Sequence, residues 1–161
     1  MAILRLHKYG SPVLREKAMP VTKIDDEIRE LVNNMIETMY AEGGAGLAAP
    51  QVGVSKKIIV IDTEDKGPIV LINPEIVKRE GETSEEEGCL SVPGIYSPVK
   101  RSYSVTVEAI DLDEKKIQIT REGFLAIALQ HEIDHLEGYL FIDRLGPAKR
   151  IMIKNQLKEI K

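Results

Sequence analysis

The chain has 161 residues, of which 43% are hydrophobic and 30% charged, and its formal net charge is −4. This length suits one domain with a core that needs no disulfides, and the negative charge gives no overall attraction to DNA. No hydrophobic run approaches a membrane span, the N-terminus does not resemble a signal peptide, and the single cysteine cannot form an internal disulfide, so we expect a cytoplasmic protein.

The first element predicted in chain order is a helix that begins at Asp25 or Asp26, either of which can cap it. Its hydrophobic residues recur every three or four positions, which places them on one buried face, and Gly43 and Gly44 end it. These hydrophobic residues are Ile28, Leu31, Val32, Met35, Ile36 and Met39.

Four strands and two further helices are predicted after this helix. Residues 56–63 and 68–76 have the hydrophobic character of buried strands, and residues 103–111 and 115–120 alternate as half-buried strands do. The acidic stretch 80–87 between these pairs has the composition of a solvated loop. A second helix is expected over 123–136, closed by Gly138, and residues 147–161, with five Lys or Arg and one Glu, are expected to form a basic C-terminal helix.

Strands grouped between helices in this order indicate an α+β fold. We expect mixed or antiparallel strands around a central helix, over residues 123–136, with an N-terminal and a C-terminal helix on either side in sequence. Residues 1–161 are expected to form a single domain.

The sequence QHEIDH, residues 130–135, has the spacing of a metal-binding helix. His131 and His135 are four residues apart, so on a helix both imidazoles project from the same face and can bind one metal ion. Glu132 lies beside the first histidine, where a general base for a metal-activated water would be needed. The surrounding helix is otherwise largely hydrophobic, which favours a metal site over an unpaired polar cluster.

A catalytic metal site needs a third protein ligand, and three positions are candidates. Phe141 occupies the place where an extended HExxHxxGxxH pattern requires histidine, and it cannot bind metal. Glu159 lies about two dozen residues downstream, but on a basic and exposed helix. Cys89 provides a thiolate, a strong ligand for zinc or ferrous iron, and the neighbouring Gly88 permits close backbone approach. We therefore predict Cys89 as the third ligand.

The stretch GGAGLAAPQ, residues 43–51, is the third candidate for a chemical role. Its small residues allow a substrate backbone to approach, and Gln51 supplies an amide that can donate to an oxyanion. The stretch lacks the lysine and hydroxyl residues of a phosphate-binding loop, so nucleotide binding is not expected.

Together, GAGLAAPQ (44–51), EGCLS (87–91) and QHEIDH (130–135) resemble, in order, the three signature motifs of the peptide deformylase family. The likeness extends to GSPVLREKAMPV near the N-terminus, to MIETMYAEGG and to LINPEI, and so covers essentially the whole chain. The short length and the basic C-terminal helix are similar to those of the bacterial type 1 branch.

The resemblance implies roles for individual residues. Cys89, His131 and His135 would bind one divalent metal ion, Fe²⁺ in the cell, with Zn²⁺, Ni²⁺ or Co²⁺ as substitutes. Glu132 would act as general base and then general acid. Gln51 and the backbone N–H of Leu90 would stabilise the oxyanion.

The implied reaction removes the formyl group from the N-terminal formyl-methionine of new polypeptides and releases formate. Gly44, Ala45 and Gly46 would contact the substrate, and Ile127 and Ala128, on the same helix face as His131, are candidates for the methionine pocket. Ala45 stands where the family usually has a bulkier aliphatic residue, a departure that concerns this pocket and removes no catalytic group.

Two further predictions concern charged residues. Glu87, two residues before Cys89, is expected to pair with an arginine such as Arg101 and so hold the cysteine segment. The basic helix 147–161 is expected either to be an amphipathic surface helix, packed through Ile151, Ile153 and Leu157, or to make a transient contact with ribosomal RNA.

Two other functions remain open from the sequence alone. One is a small zinc peptidase with Glu159 as third ligand. The other is a non-catalytic, ribosome-associated metal or redox sensor that uses Cys89 as its switch.

Overall fold

The computed structural model describes residues 2–160, which form an α+β fold of seven strands and three α-helices. The elements are α1 (Asp26–Ala41), β1 (Gly46–Ala48), β2 (Ile58–Asp62), β3 (Pro68–Glu80), β4 (Thr83–Cys89), β5 (Val92–Arg101), β6 (Ser104–Ile110), β7 (Lys116–Glu122), α2 (Phe124–Leu136) and α3 (Pro147–Lys158). The predicted fold class is confirmed. No helix in residues 2–160 combines the length and the hydrophobicity that crossing a membrane requires.

The main sheet has five strands in the order β1-β2-β3-β6-β7, and every neighbouring pair is antiparallel. Strands β4 and β5 form a separate antiparallel hairpin. The strand β1 therefore lies at one edge of the main sheet. Residues of β1 and of the hairpin segment that ends in Cys89 line the same cavity, which is described below.

Alternation along β2 explains how the main sheet is covered on both faces. Ile59 and Ile61 pack in the cluster that includes residues of α2, and Ile58 and Val60 pack in the cluster that includes residues of α1. Because successive strand side chains point to opposite faces, a run of consecutive hydrophobic residues is what a strand between two helices requires. The helix α1 begins after Asp25, whose side chain accepts a hydrogen bond from the backbone N–H of Ile28, as its predicted cap.

A third hydrophobic cluster supports the hairpin. Its buried residues come from β5, from the segment after α2 and from α3, and they are Val92, Ile95, Val99, Leu140, Phe141, Ile142, Leu145 and Ile153. The helix α3 is therefore attached to the hairpin side of the molecule.

Several predicted boundaries and environments were wrong. The acidic stretch 80–87 is not a loop, since Thr83–Cys89 is the strand β4, and the glycine-rich stretch contains the short strand β1. The strand β3 runs on to Glu80, and its second half is mostly exposed. Hydrophobic alternation could not reveal β4, because its inward positions face a polar site instead of the core.

The basic helix also differs in part from its prediction. Its element α3 ends at Lys158, and Lys161 lies outside the described residues. Ile153 is buried, but Ile151 is 73% exposed. Residues two apart lie on opposite sides of a helix, so Ile151 and Ile153 cannot share the buried face.

Candidate metal centre

The helix α2 places His131 and His135 on one face, as their spacing requires. Both side chains are buried, and their ring centroids are 5.1 Å apart. His131 Nδ1 lies 3.0 Å from Glu87 Oε1, which leaves the other ring nitrogen to face the cluster. A carboxylate on the second ring nitrogen is the usual way in which proteins fix the orientation of a metal-binding histidine.

The hairpin brings Cys89 to this helix. Cys89 Sγ lies 3.4 Å from His135 Nε2, and one candidate ligand atom from each of Cys89, His131 and His135 lies within 4.8 Å of the others. At the neighbouring Gly88, an added Cβ would lie 2.6 Å from the ring of Tyr96. The close approach that glycine permits here is therefore to an aromatic side chain of the facing strand β5.

The chemistry and the spacing of this donor set fit a divalent cation. Zn–S and Zn–N bonds of about 2.3 and 2.0–2.1 Å at tetrahedral angles separate sulfur from nitrogen by about 3.5 Å. The observed separation of 3.4 Å between Cys89 Sγ and His135 Nε2 matches this value. Thiolate and imidazole suit zinc and ferrous iron alike.

The other two candidate ligands do not join the cluster. Within residues 2–160, the grouping of metal-capable side chains consists of Cys89, His131 and His135 and does not include Glu159, which caps the C-terminus of α3. Phe141 packs against His131 with ring centroids 6.1 Å apart and an interplanar angle of 26°. Its aromatic ring is thus a wall of the site.

Glu132 is a buried carboxyl group beside the cluster. Burial raises the pKa of Glu132 to about 7, although the positive charge of His131 opposes the shift. Its Oε1 atom is buried and has no hydrogen-bond partner within residues 2–160. A carboxyl group with a pKa near neutrality suits the exchange of protons in both directions.

The two histidines are affected differently by their surroundings. Burial, together with the positive charge of His131, lowers the pKa of His135 well below its usual value, which favours the neutral form that a ligand needs. Burial also opposes protonation of His131, but the negative charges of Cys89 and Glu132 raise its pKa well above the usual value. A bound cation would reverse the effect on His131, because it repels the proton.

Gln51 lies across the cluster from α2 with a fixed amide orientation. Its Oε1 atom accepts a hydrogen bond of 3.0 Å from the backbone N–H of Ala48, so its amide nitrogen must point the other way. That nitrogen donates to Ser91 Oγ at 3.1 Å and lies 3.6 Å from Cys89 Sγ. A donor is thus held beside the candidate metal centre.

A cavity of about 610 Å³ opens in front of these groups. All five predicted substrate-contacting residues line it, and so does Leu90. These five are Gly44, Ala45, Gly46, Ile127 and Ala128. Gly46 is close enough to Glu132 that an added Cβ would lie 2.8 Å from Oε2, so this glycine keeps room for the carboxyl group.

The predicted pair between Glu87 and Arg101 is present and almost wholly buried. Arg101 donates from Nε to Glu87 Oε2 at 2.8 Å and from a terminal nitrogen to Oε1 at 2.9 Å. Although burial alone would raise the pKa of Glu87, the hydrogen bond from Arg101 lowers it, so the carboxylate stays ionised. The charged pair orients His131 from behind.

Several supporting residues were missed by the sequence reasoning. Asp134 accepts hydrogen bonds from Arg101 at 2.6 Å and from Arg144 at 2.8 and 3.1 Å. Gln130 hydrogen-bonds both backbone groups of Ser102 and so fixes the chain next to Arg101. The available signal was that both polar residues stand inside the QHEIDH stretch of an otherwise hydrophobic helix, and buried polar groups require partners.

The fold and this site together define a class of protein, the metal-dependent hydrolases. Such an enzyme needs a metal centre, here of the Cys-His-His type, with an adjacent buried carboxyl group and a fixed amide donor at an open cavity. The comparisons with known proteins narrow this class to a family. The family model described as polypeptide deformylase matches residues 3–151.

Individual relatives agree with the family model. The chain is 57% identical over 146 residues to a peptide deformylase of Halothermothrix orenii, covering 90% of this chain and 95% of that protein. It is 50% identical to a peptide deformylase of Thermodesulfovibrio yellowstonii, covering 98% of each.

Solved structures show the same relationship. The crystal structure of a peptide deformylase from Legionella pneumophila superposes with a TM-score of 0.93 at 49% identity, covering 98% of this chain and 95% of that one. A peptide deformylase from Synechococcus elongatus, in complex with actinonin, gives 0.90 at 44% identity, covering 98% and 85%. The chain belongs to the polypeptide deformylase family.

Proposed function

We propose that residues 1–161 act as a single catalytic domain that removes the formyl group from N-terminal formyl-methionine of new polypeptides and releases formate. The observation that carries this proposal is the convergence of Cys89, His131 and His135 with Glu132 on one cavity, in a chain of the deformylase family. Each relative reported above is named a peptide deformylase.

Cys89, His131 and His135 would hold one divalent cation, which when bound supplies the Lewis acidity that activates water at neutral pH and polarises the formyl carbonyl. The ion pair behind His131 supports this role, because it orients the ligand ring and is shielded from solvent. The metal in the cell is proposed to be Fe²⁺, with Zn²⁺, Ni²⁺ or Co²⁺ able to replace it.

The remaining chemistry falls to residues around the ligands. Glu132 accepts a proton from the attacking water and then donates it to the amine nitrogen that leaves, as its near-neutral pKa allows. Gln51 Nε2 and the backbone N–H of Leu90 donate hydrogen bonds to the oxyanion as it develops. Removing one such donor typically costs about 3 kcal/mol of transition-state stabilisation.

The substrate is proposed to enter along the β1 edge. Ile127 and Ala128, which line the cavity on α2, receive the methionine side chain, and the segment 44–46 faces the peptide backbone. The position of β1 at the edge of the sheet supports this path, because an edge strand has backbone groups free to pair with an added chain. Ala45 leaves more room at the pocket than a bulkier residue would.

The protein is further proposed to act in the cytoplasm, where formylated nascent chains emerge, and to contact the ribosome transiently through the basic helix α3. No role for DNA or membranes is proposed. The two alternative functions have less support. The zinc peptidase requires Glu159, which lies outside the cluster of candidate ligand side chains, and the non-catalytic sensor disagrees with relatives that are named as an enzyme.

The decisive experiment is anaerobic purification with metal analysis, followed by a formate-release assay on formyl-Met peptides and acetyl-Met controls. We expect one metal ion per chain and formate release from the formyl peptides only. Cys89→Ser should abolish tight metal binding, whereas Glu132→Gln should retain the metal and lower turnover by about 10²-fold or more.

Three results would contradict the proposal. Tight metal binding in Cys89→Ser would show that another residue, such as Glu159, is the third ligand. Equal hydrolysis of formyl and acetyl peptides would refute the specificity. Absence of formate release from the metal-loaded parent protein would favour a sensor.

A further inference from the structure

A buried series of hydrogen bonds lies behind the cavity wall and ends on the N-terminal segment. Gln51 Nε2 donates to Ser91 Oγ at 3.1 Å, and the Ser91 hydroxyl donates to the backbone carbonyl oxygen of His7 at 2.7 Å. The residues Gln51 and Ser91 are 1% and 0% exposed. Polar groups buried to this degree need protein partners, so the arrangement of this series is closely determined.

The direction of each hydrogen bond follows from the chemistry of the groups. A carbonyl oxygen can only accept and a serine hydroxyl has one hydrogen, so the hydrogen of Ser91 is used at His7. Ser91 Oγ can then only accept from Gln51, and the amide group that faces it must be the nitrogen. The backbone N–H of Ala48 makes the same selection at the other end of the amide, because it donates to Gln51 Oε1 at 3.0 Å.

A reversed Gln51 amide would be disfavoured at both ends. Its oxygen would face the lone pairs of Ser91 Oγ and its nitrogen would face the N–H of Ala48, so two buried hydrogen bonds would be lost together. An amide nitrogen carries two hydrogens, and one of them is used at Ser91. The second is therefore available toward the cavity, which Gln51 lines.

The N-terminal segment holds this series in place from outside the three sequence motifs. The backbone N–H of His7 donates to the carbonyl oxygen of Gln51 at 2.7 Å, and the backbone N–H of Tyr9 donates to the carbonyl oxygen of Ser91 at 2.8 Å. This part of the chain thus joins the turn that carries Gln51 to the residue that follows Leu90. Both proposed oxyanion donors are attached to the same support.

We propose that Ser91 is a positioning residue for the reaction, which directs one N–H of Gln51 to the oxyanion and is itself anchored on the carbonyl group of His7. The inference rests on the proposed function, because the oxyanion develops only in that reaction. Within residues 2–160, Ser91 is not among those that line the cavity, so it acts through Gln51 and not on the substrate.

Ser91→Ala should lower kcat by about 10- to 100-fold and change KM by less than about twofold. Without this acceptor the Gln51 amide can turn away, and full loss of an oxyanion donor typically costs about 10²–10³ in kcat. KM stays near the parent value because the lost interaction belongs to the transition state. Steady-state formate release measures both constants, and the metal content and the circular dichroism spectrum are determined in parallel.

Ser97→Ala is the matched control. Ser97 is a second buried serine of the hairpin, 3% exposed, and its hydroxyl donates to the carbonyl oxygen of Pro98 at 3.3 Å. Within the described residues it is not among those that line the cavity. The variant loses the same hydroxyl group without affecting an oxyanion donor, so kcat should stay within about twofold of the parent value.

A double-mutant cycle shows whether Ser91 acts through Gln51. If it does, Ser91→Ala introduced into Gln51→Ala should lower kcat by less than about twofold, since the donor that it positions is already absent. A merely structural role would add its full loss to that of Gln51→Ala. Such an additive result overturns the inference.

A spectroscopic measurement separates this inference from the proposed activity. In heteronuclear NMR spectra of the zinc-loaded protein, the side-chain amide signals of Gln51 are identified by their absence from Gln51→Ala. Their exchange with water should be about three- to tenfold faster in Ser91→Ala, the range for loss of one hydrogen bond, and unchanged in Ser97→Ala. This result supports the positioning role even if formate release fails. Equal exchange in the parent and in Ser91→Ala overturns it, and formate release by the parent would then leave the proposed function intact.

Discussion

At the scale of single residues, Arg101 connects the buried carboxylate of Glu87 and the half-buried carboxylate of Asp134 to the candidate metal centre. Its guanidinium group holds Glu87, which orients His131, and it also reaches Asp134 at 2.6 Å. The Arg101 and Glu87 side chains are only 4% and 5% exposed. In so dry a place neither charge is tolerable without the other, so the pair serves the geometry of the site as much as its stability.

Replacing Arg101 with glutamine should therefore affect both stability and metal binding. We expect a loss of about 3–5 kcal/mol in the free energy of unfolding, because Glu87 is left as an unpaired buried charge. Metal affinity should fall about 10- to 100-fold as His131 loses its orienting partner. Urea denaturation measures the first effect, and competition with a chromogenic chelator measures the second.

Arg144 provides the matched control, because it binds the same Asp134 from a side chain that is 43% exposed. Arg144→Gln should cost no more than about 1 kcal/mol, as solvent-screened pairs do, and leave metal affinity near that of the parent. Equal losses in the Arg101 and Arg144 variants would show that burial of the pair does not govern its contribution.

At the scale of elements, the site depends on how closely β1 approaches α2. Gly46 belongs to β1 and lies against Glu132 of α2, so the strand that would receive the peptide also bounds the space of the proposed general base. Gly44 lies two residues earlier on the same wall, where an added Cβ would meet mainly the end of the Leu90 side chain at 2.8 Å.

Gly46→Ala should lower kcat strongly while the protein still binds its metal. The new Cβ would lie 2.8 Å from Glu132 Oε2 and 2.9 Å from its Cγ, so the carboxyl group must move, and a displacement of about 1 Å can cost about 10²-fold in rate. Formate release under single-turnover conditions, with metal content determined in parallel, measures this. Gly44→Ala, which displaces only a flexible side-chain end, should retain far more activity, and equal effects would contradict the explanation.

Across the whole molecule, local sequence patterns predicted the helices and strands whose buried faces are uniformly hydrophobic. The helix α1 and the strand β2 were recognised because their buried faces follow the helical and strand periods. The candidate ligands His131 and His135 were recognised because four-residue spacing on a helix fixes both side chains without tertiary information. The prediction that Glu87 pairs with Arg101 had two sources. Glu87 was singled out because it belongs to a motif of the resembled family, and Arg101 was named as one arginine that could pair with it.

The missed features are those that depend on contacts between distant segments. Strand β4 carries three charged residues in seven, because its inward face borders a cavity and an arginine, so its sequence has no hydrophobic alternation. Asp134 and Arg144 meet only after the chain turns behind α2. The placement of β1 at the sheet edge follows from its pairing with β2 alone, which the three residues of β1 could not specify by themselves.

The distribution of charge over the whole molecule bears on the proposed ribosome contact. The chain carries −4 overall, yet α3 exposes Arg150, Lys154 and Lys158, and none of these three makes an ion pair within residues 2–160. Exposed Ile151 and Met152 lie on the same helix. A basic helix on an acidic molecule would orient the protein as it approaches RNA, because the local field, not the net charge, governs such encounters.

Replacing Arg150, Lys154 and Lys158 together with glutamine should weaken cosedimentation with ribosomes and leave turnover of small formyl peptides unchanged, since none of the three lines the cavity. If each contacts one phosphate of single-stranded RNA, the slope of log affinity against log salt should decrease in magnitude by roughly two. The control replaces the exposed Lys66, Lys115 and Lys116, which changes the net charge equally at a place outside α3. Equal weakening in both variants would mean that total charge, and not the basic helix, determines the association.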